Sequence, residues 1–148
     1  MNTTMKMNTT KKAIVDTRII YITEADMKRL RPLLEGVKNS RDDLNALQVE
    51  LELAHVVPAE EVPTDVITMN SRATLKDLDS GELKEYRLIF PTQGRQGNDI
   101  SILAPIGTAM LGYRVGDIIE WQVPRGIRRL EVVEVLYQPE AQGTPVES

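Results

Sequence analysis

The chain has 148 residues, of which 41% are hydrophobic and 27% charged, and its net charge is −4. A chain of this length can bury a substantial core, and the composition is that of an ordinary globular protein. Because the sequence contains no cysteine, disulfides, thiol nucleophiles and thiolate metal sites are excluded. No apolar run approaches the ~20 residues of a membrane span, and the N-terminus lacks the apolar stretch of a secretory signal. We therefore expect a cytoplasmic protein without membrane contact.

The charge is distributed unevenly along the chain. Residues 1–56 carry nine Lys/Arg and eight Asp/Glu, whereas residues 57–148 carry nine Lys/Arg and fourteen Asp/Glu. Proteins that bind nucleic acid on their own present basic surfaces to the phosphates, so an acidic main domain argues against that function. A protein partner with a basic or mixed surface fits this charge better.

The N-terminal third of the chain predicts two helices after a tail. Residues 1–18 lack a core-forming pattern and are predicted to be disordered. Within residues 19–57, capping boxes begin at Thr23 and at Ser40, and each is followed by apolar residues spaced 3, 4 and 3 apart. These residues are Met27, Leu30, Leu34 and Val37 in the first helix, and Leu44, Leu47, Leu51 and Ala54 in the second. The pattern predicts an antiparallel helical hairpin, a short coiled coil of ~24 Å.

After a linker with two prolines, the apolar period changes to two. Strands are predicted at Val66–Met69, Glu85–Phe90, Ile100–Leu103, Ile118–Val123 and Leu130–Leu136. Asp79–Gly81 and Pro124–Gly126 have the chemistry of hairpin turns. Pro105–Leu111 predicts a short helix, because proline is tolerated in the first turn and Gly112 can end it. Residues 62–138 are thus predicted to form an antiparallel sheet with one short helix, giving an α+β protein, and residues 139–148 a loose tail.

The segment Ile100–Leu136, ISILAPIGTAMLGYRVGDIIEWQVPRGIRRLEVVEVL, carries a specific order of motifs. A strand is followed by Pro-x-Gly-x-Ala-x-Leu-Gly, a second strand, a Pro-x-Gly turn and a third strand. This order resembles the C-terminal domain of the Gre transcript-cleavage factors. VPTDVITMNSR (Val62–Arg72) and LYQPEA (Leu136–Ala141) are similar to the Rnk group of that superfamily. The resemblance, which covers Tyr21–Gly143, implies an FKBP-like form for the sheet and a function exerted by docking on RNA polymerase.

The resemblance also implies the docking residues. In Gre factors, the segment that matches Leu103, Ala104, Pro105, Ile106 and Gly107 grips a coiled coil of the largest polymerase subunit at the rim of the secondary channel. An exposed apolar turn on a rigid sheet suits such a contact. Gre proteins often carry Asp or Asn followed by Ser where this sequence has Leu103 and Ala104. We therefore expect an apolar version of the grip.

Asp42 and Asp43 lie at the predicted tip of the hairpin. By resemblance to Gre factors, tip carboxylates enter the secondary channel and help to hold a catalytic magnesium ion. Alternatively, both residues only offset the dipole of the second helix, in whose first turn they lie. The predicted hairpin is also markedly shorter than that of Gre factors. By resemblance to Rnk it should stop short of the active centre.

The leading hypothesis is a regulator that occupies the secondary channel and competes with Gre factors without cleavage activity of its own. Alternatives are a true cleavage stimulator that uses Asp42 and Asp43, an interaction module with another partner, and an FKBP-like prolyl isomerase. The last is disfavoured, because an isomerase pocket needs several aromatic residues and the six in this chain are scattered. No cofactor, metal or small-molecule substrate is expected, and DNA or RNA would be near only indirectly, within the elongation complex.

Overall fold

The computed structural model describes residues 18–94 and 96–142, with the side chains of residues 121–123 excepted. The predicted tail 1–18 lies outside the described residues except for Arg18. Two helices, α1 (Glu24–Gly36) and α2 (Asp42–Glu52), follow at the N-terminal end of the described chain. They bury the apolar positions that the spacing predicts, among them Leu30, Leu34, Leu44 and Leu47.

The two helices begin in different ways. Thr23 caps α1 as predicted, because its hydroxyl accepts a hydrogen bond from the Asp26 amide at 3.3 Å. The second predicted capping box is wrong. Arg41 is the N-cap of α2 and makes no capping hydrogen bond with its side chain, and the Ser40 hydroxyl donates to the Val37 carbonyl at 2.6 Å instead. The helices have 13 and 11 residues, so they span only about 20 and 17 Å.

Two short strands lie at the outer ends of the helical pair. β1 (Tyr21–Ile22) precedes α1 and β2 (His55–Val56) follows α2, and they pair in parallel with Tyr21 opposite His55. The tip between the helices therefore lies at the other end, at residues 37–41. We refer to β1, α1, α2 and β2 as the helical unit.

The main sheet has five strands in the order β5-β4-β3-β7-β6. Their bounds are Arg72–Asp77 (β3), Leu83–Ile89 (β4), Asp99–Ser101 (β5), Ile118–Val123 (β6) and Gly126–Tyr137 (β7). The third helix, α3 (Pro105–Met110), follows β5. The central strand β3 was not predicted. The predicted strand Val66–Met69 is wrong, since only Val66 makes an isolated bridge, to Arg114.

The prediction of a fully antiparallel sheet is wrong at one edge, where β4 and β5 pair in parallel. The connection between them, residues 90–98, contains a 3₁₀ turn at Pro91–Gln93 and is too long for a tight hairpin. It brings the chain back from the end of β4 only as far as Arg87, so that β5 pairs in parallel with the last three residues of β4. The β3–β4, β3–β7 and β6–β7 pairs are antiparallel.

One hydrophobic core joins the helical unit to the sheet. The same buried cluster contains Leu30 of α1, Leu47 of α2, Met110 of α3 and Leu75 of β3. The last described residues, Pro139–Gln142, form a 3₁₀ turn. In this turn the buried Glu140 accepts a hydrogen bond from the Thr68 hydroxyl at 2.7 Å. These four residues are therefore held in place, contrary to the predicted loose tail, and residues 143–148 lie outside the described part.

The predicted α+β class is confirmed by this mixture of helices and sheet. That the helical pair is a coiled-coil hairpin of the Gre kind, and that the sheet has an FKBP-like form, remain predictions.

Candidate partner-binding site

The predicted docking residues lie at the start of α3. Ala104 is the N-cap and Pro105 the first helical residue, a position where the missing amide hydrogen costs nothing. Pro105 is exposed, Leu103, Ala104 and Ile106 are half-buried, and Gly107 is buried. The predicted exposed turn is therefore limited to Pro105, because Leu103 and Ile106 pack against the core.

The start of α3 is held tightly on the end of β5. A Cβ atom on Gly107 would lie 2.0 Å from the Ser101 carbonyl oxygen, so only glycine fits at this close approach. The Thr108 hydroxyl donates to the Ile102 carbonyl at 2.6 Å. The docking segment is thus presented by a rigid element rather than by a free loop.

The predicted tip carboxylates lie beside this segment and do not project away from it. Arg41 makes a two-pronged ion pair with Asp43, with its Nε and Nη2 atoms 2.7 and 2.9 Å from the two carboxylate oxygens. Its Nη1 atom donates to the Leu103 carbonyl at 3.0 Å. The hydrogen bond from Arg41 lowers the pKa of the Asp43 carboxyl below its usual value. The tip is therefore tied to the docking segment through Arg41.

Arg18 makes a second link between the helical unit and α3. Its side chain is only 8% exposed and forms an ion pair with Glu50 of α2 at 3.0 Å. Its Nη1 atom donates to the carbonyls of Ala109 and Leu111 at 2.8 and 2.9 Å. These carbonyls at the C-terminal end of α3 lack partners within the helix. Arg18, which precedes β1, and Arg41, which lies between α1 and α2, thus hold the two ends of α3.

A groove of about 530 Å³ runs between α2 and α3 and brings the two predicted sites together. Asp42 and Asp43 line one side and Pro105 the other. Asp42 is exposed, and its side chain has no ion pair or hydrogen bond within the described part of the chain. The remaining lining residues are Arg18, Arg41, Ala46, Glu50, Thr108, Ala109, Tyr113 and Glu120.

A smaller cleft of about 220 Å³ lies on the sheet beside Ile106. Leu75, Tyr86 and Leu130 form its apolar lining together with Ile106, and an ion pair between Asp77 and Arg128 lies at its edge. Asp77 also accepts hydrogen bonds from the Asp79 and Ser80 amides in the β3–β4 turn. Among the side chains that the structure describes, Tyr86 is the one aromatic in this lining, whereas an isomerase pocket needs several.

Two further observations concern the described residues as a whole. Within residues 18–94 and 96–142, no three Asp, Glu or His side chains are grouped as metal ligands. In the same part of the chain, no helix combines the length and the apolar character needed to cross a bilayer.

The sequence matches two family models that together cover most of the chain. Residues 62–137 match the C-terminal domain of the transcription elongation factors GreA and GreB, and residues 18–57 match the Rnk N-terminus. The regulator of nucleoside diphosphate kinase from Escherichia coli K12 is 42% identical over 127 residues, which cover 84% of this chain and 93% of that protein. GreA from Alkaliphilus oremlandii is 32% identical over 95 residues, covering 64% of this chain and 60% of that protein.

A solved structure supports the same relationship. A GreA/GreB-type transcription elongation factor from Nitrosomonas europaea is 41% identical, with a TM-score of 0.69, over 80% of this chain and 98% of that one. The helical unit and the sheet domain thus both have counterparts in one group of proteins, in the same order along the chain. The chain belongs to the GreA/GreB family of transcription elongation factors, within its Rnk group.

Proposed function

We propose that the protein is a non-enzymatic regulator of transcription that binds RNA polymerase at the secondary channel. In this proposal Leu103–Gly107 docks on the rim coiled coil of the largest subunit. The protein thereby competes with Gre factors and does not stimulate transcript cleavage. The names of its relatives, a regulator and elongation factors, support a role in transcription.

One observation carries the proposal, namely that Asp42 and Asp43 line the same groove as Pro105. If Pro105 contacts the rim of the channel, the two carboxylates lie at the rim as well. A carboxylate that holds magnesium at the active centre would have to extend away from the docking segment. Asp43 is in addition paired with Arg41, which reduces its capacity to bind a cation.

The docking surface can be tested with Pro105→Glu. A carboxylate at the first position of a helix suits the helix dipole, so the fold should be retained while a charge enters the proposed apolar contact. We expect the affinity for core RNA polymerase to fall roughly thirtyfold, measured with purified proteins by fluorescence anisotropy.

Pro91→Glu is the matched control. Pro91 is exposed and also begins a helical turn, but it lines neither the groove nor the cleft. Its substitution should leave the affinity unchanged. Equal affinities for the two variants would mean that the polymerase is bound elsewhere or not at all.

A further inference from the structure

More acidic than basic side chains of the described residues line the groove between α2 and α3. One of these carboxylates has no ion-pair partner among the described residues. In this part of the chain, four carboxylates and two guanidinium groups line the groove, and one of these carboxylates, Glu120, is paired with Arg129. Both guanidiniums are engaged, Arg18 with Glu50 and Arg41 with Asp43. Asp42 keeps an exposed carboxylate that makes no hydrogen bond or ion pair with any described residue. The groove therefore offers an anchor for a positive charge that comes from outside the protein.

The walls beside this carboxylate are small and apolar. Ala46 lies one helical turn after Asp42, so both side chains are on the same face of α2, and Ala46 is exposed. Pro105 and Ala109 face them from α3. Lysine and arginine side chains pack their methylene stems on such surfaces while the charged end meets a carboxylate.

We propose that this groove receives a lysine- or arginine-bearing segment of the RNA polymerase surface on which Pro105 docks, with Asp42 as the recognising carboxylate. The inference rests on the proposed function, because Pro105 belongs to both the docking segment and the groove. It assigns Asp42 a role in partner recognition instead of metal binding. A positive partner also agrees with the excess of acidic over basic residues in positions 57–148.

A nucleic acid is a poorer occupant of the groove. Its phosphates would face the exposed carboxylate of Asp42, and the two lining arginines are each already paired with a carboxylate. The surface charge therefore favours a protein segment over RNA or DNA.

Charge reversal at Asp42 tests the inference. The affinity of Asp42→Lys for core RNA polymerase is compared with that of Glu52→Lys, at low and at physiological salt. Glu52 is an exposed carboxylate at the other end of the same helix and does not line the groove. Both variants change the net charge equally, so a general effect of charge on association cancels. We expect Asp42→Lys to bind about tenfold more weakly than the control, with a smaller salt dependence than the unmodified protein.

The outcomes separate this inference from the proposed function. If the unmodified protein does not bind the polymerase, both fail. If it binds and the two lysine variants bind equally well, the groove inference is wrong while the proposed function stands. Tighter binding by Asp42→Lys would indicate an acidic occupant and would also overturn the inference. Asp42→Asn, which keeps the shape of the side chain, provides a second comparison should the lysine variant fold poorly.

The absence of cysteine from the sequence allows a direct identification of the occupant. Ala46→Cys carries the single thiol of the protein into the groove, where a photoreactive crosslinker can be attached. In the complex with polymerase, the crosslinked peptide should contain lysine or arginine and should come from the polymerase. Crosslinks to RNA, or to a second copy of this chain, would refute the inference. Glu52→Cys serves as the matched labelling control.

Discussion

Asp26→Asn should stabilise the protein at neutral and alkaline pH. Asp26 lies in the first turn of α1 and is only 2% exposed. Burial raises the pKa of its carboxyl from 3.8 to about 6. The negative charge of Glu140 is the second cause of this increase, and the positive charge of Arg29 partly opposes it. The folded protein therefore binds this proton more tightly than the unfolded chain does.

The sign and the size of the effect follow from this difference in pKa. Binding of this proton therefore stabilises the folded protein. The stabilisation is complete below the pKa that the Asp26 carboxyl has in the unfolded chain, and it is lost as the pH rises through the folded-state pKa of about 6. A pKa change from 3.8 to about 6 corresponds to about 3 kcal/mol of unfolding free energy, at roughly 1.4 kcal/mol per pKa unit. Asparagine is close in shape to the protonated carboxyl and cannot ionise. The unfolding free energy of the variant should equal that of the unmodified protein at acidic pH and should be about 2–3 kcal/mol higher above neutral pH.

Urea unfolding between about pH 4 and pH 8 measures this difference. Glu140→Gln is the companion variant, because removing the charge of Glu140 should lower the Asp26 pKa and shift the pH dependence to more acidic values. The pKa of Glu140 is itself raised by burial, so both carboxyls contribute to the pH dependence of the unmodified protein. An Asp26→Asn variant that is less stable than the unmodified protein at pH 8 would refute the reasoning.

Two further predictions concern the tip and the link to α3. Replacing Asp42 and Asp43 by Asn together should weaken competition with Gre factors, because the Asp42 carboxylate no longer meets the polymerase, and a backtracked elongation complex given the unmodified protein and magnesium should release no short RNA. Release that disappears in the Asn variant would instead favour a cleavage factor. Arg18→Ala should lower the unfolding free energy by about 3–5 kcal/mol, because it leaves Glu50 as a nearly buried, unpaired charge. The Arg18→Ala/Glu50→Ala double variant should recover part of this loss in urea unfolding.

Local sequence patterns predicted the helices better than the sheet. The 3 and 4 spacing identified the buried faces of α1 and α2, and the predicted bounds Ile118–Val123 are those of β6. The central strand β3 alternates as a strand should, with Ala73, Leu75 and Asp77 buried. Its pattern is weak because alanine and aspartate occupy two of the three inward positions. The alternation could still have revealed it.

The predicted strand Val66–Met69 shows the limit of apolar runs. All four residues are buried, yet the segment makes only isolated backbone hydrogen bonds and does not pair continuously with a neighbouring strand. The Ile67 amide donates to the Tyr113 carbonyl and the Ile67 carbonyl accepts from Gly112. A short apolar run indicates burial, but it does not distinguish a strand from a buried loop.

The links that build the candidate site could not be predicted from the sequence. Arg41 and Leu103 are 62 positions apart, and Arg18 and Leu111 are 93 positions apart. No local periodicity reports such contacts. The resemblance to Gre factors predicted a docking segment and a tip as two separate sites, whereas in the fold Pro105 of that segment and the two tip aspartates line one groove.

This arrangement bears on how a short member of the family could regulate transcription. In this protein Arg18 and Arg41 hold the two ends of α3, and one hydrophobic core contains residues of the helical unit, α3 and the sheet. Docking through Pro105 would therefore position the helical unit at the same time, with its tip against the contact surface. Such a protein would block an opening in the polymerase without reaching far into it. Its acidic tip would then act by recognising the partner's surface charge, and the Asp42 variants test that role separately from cleavage.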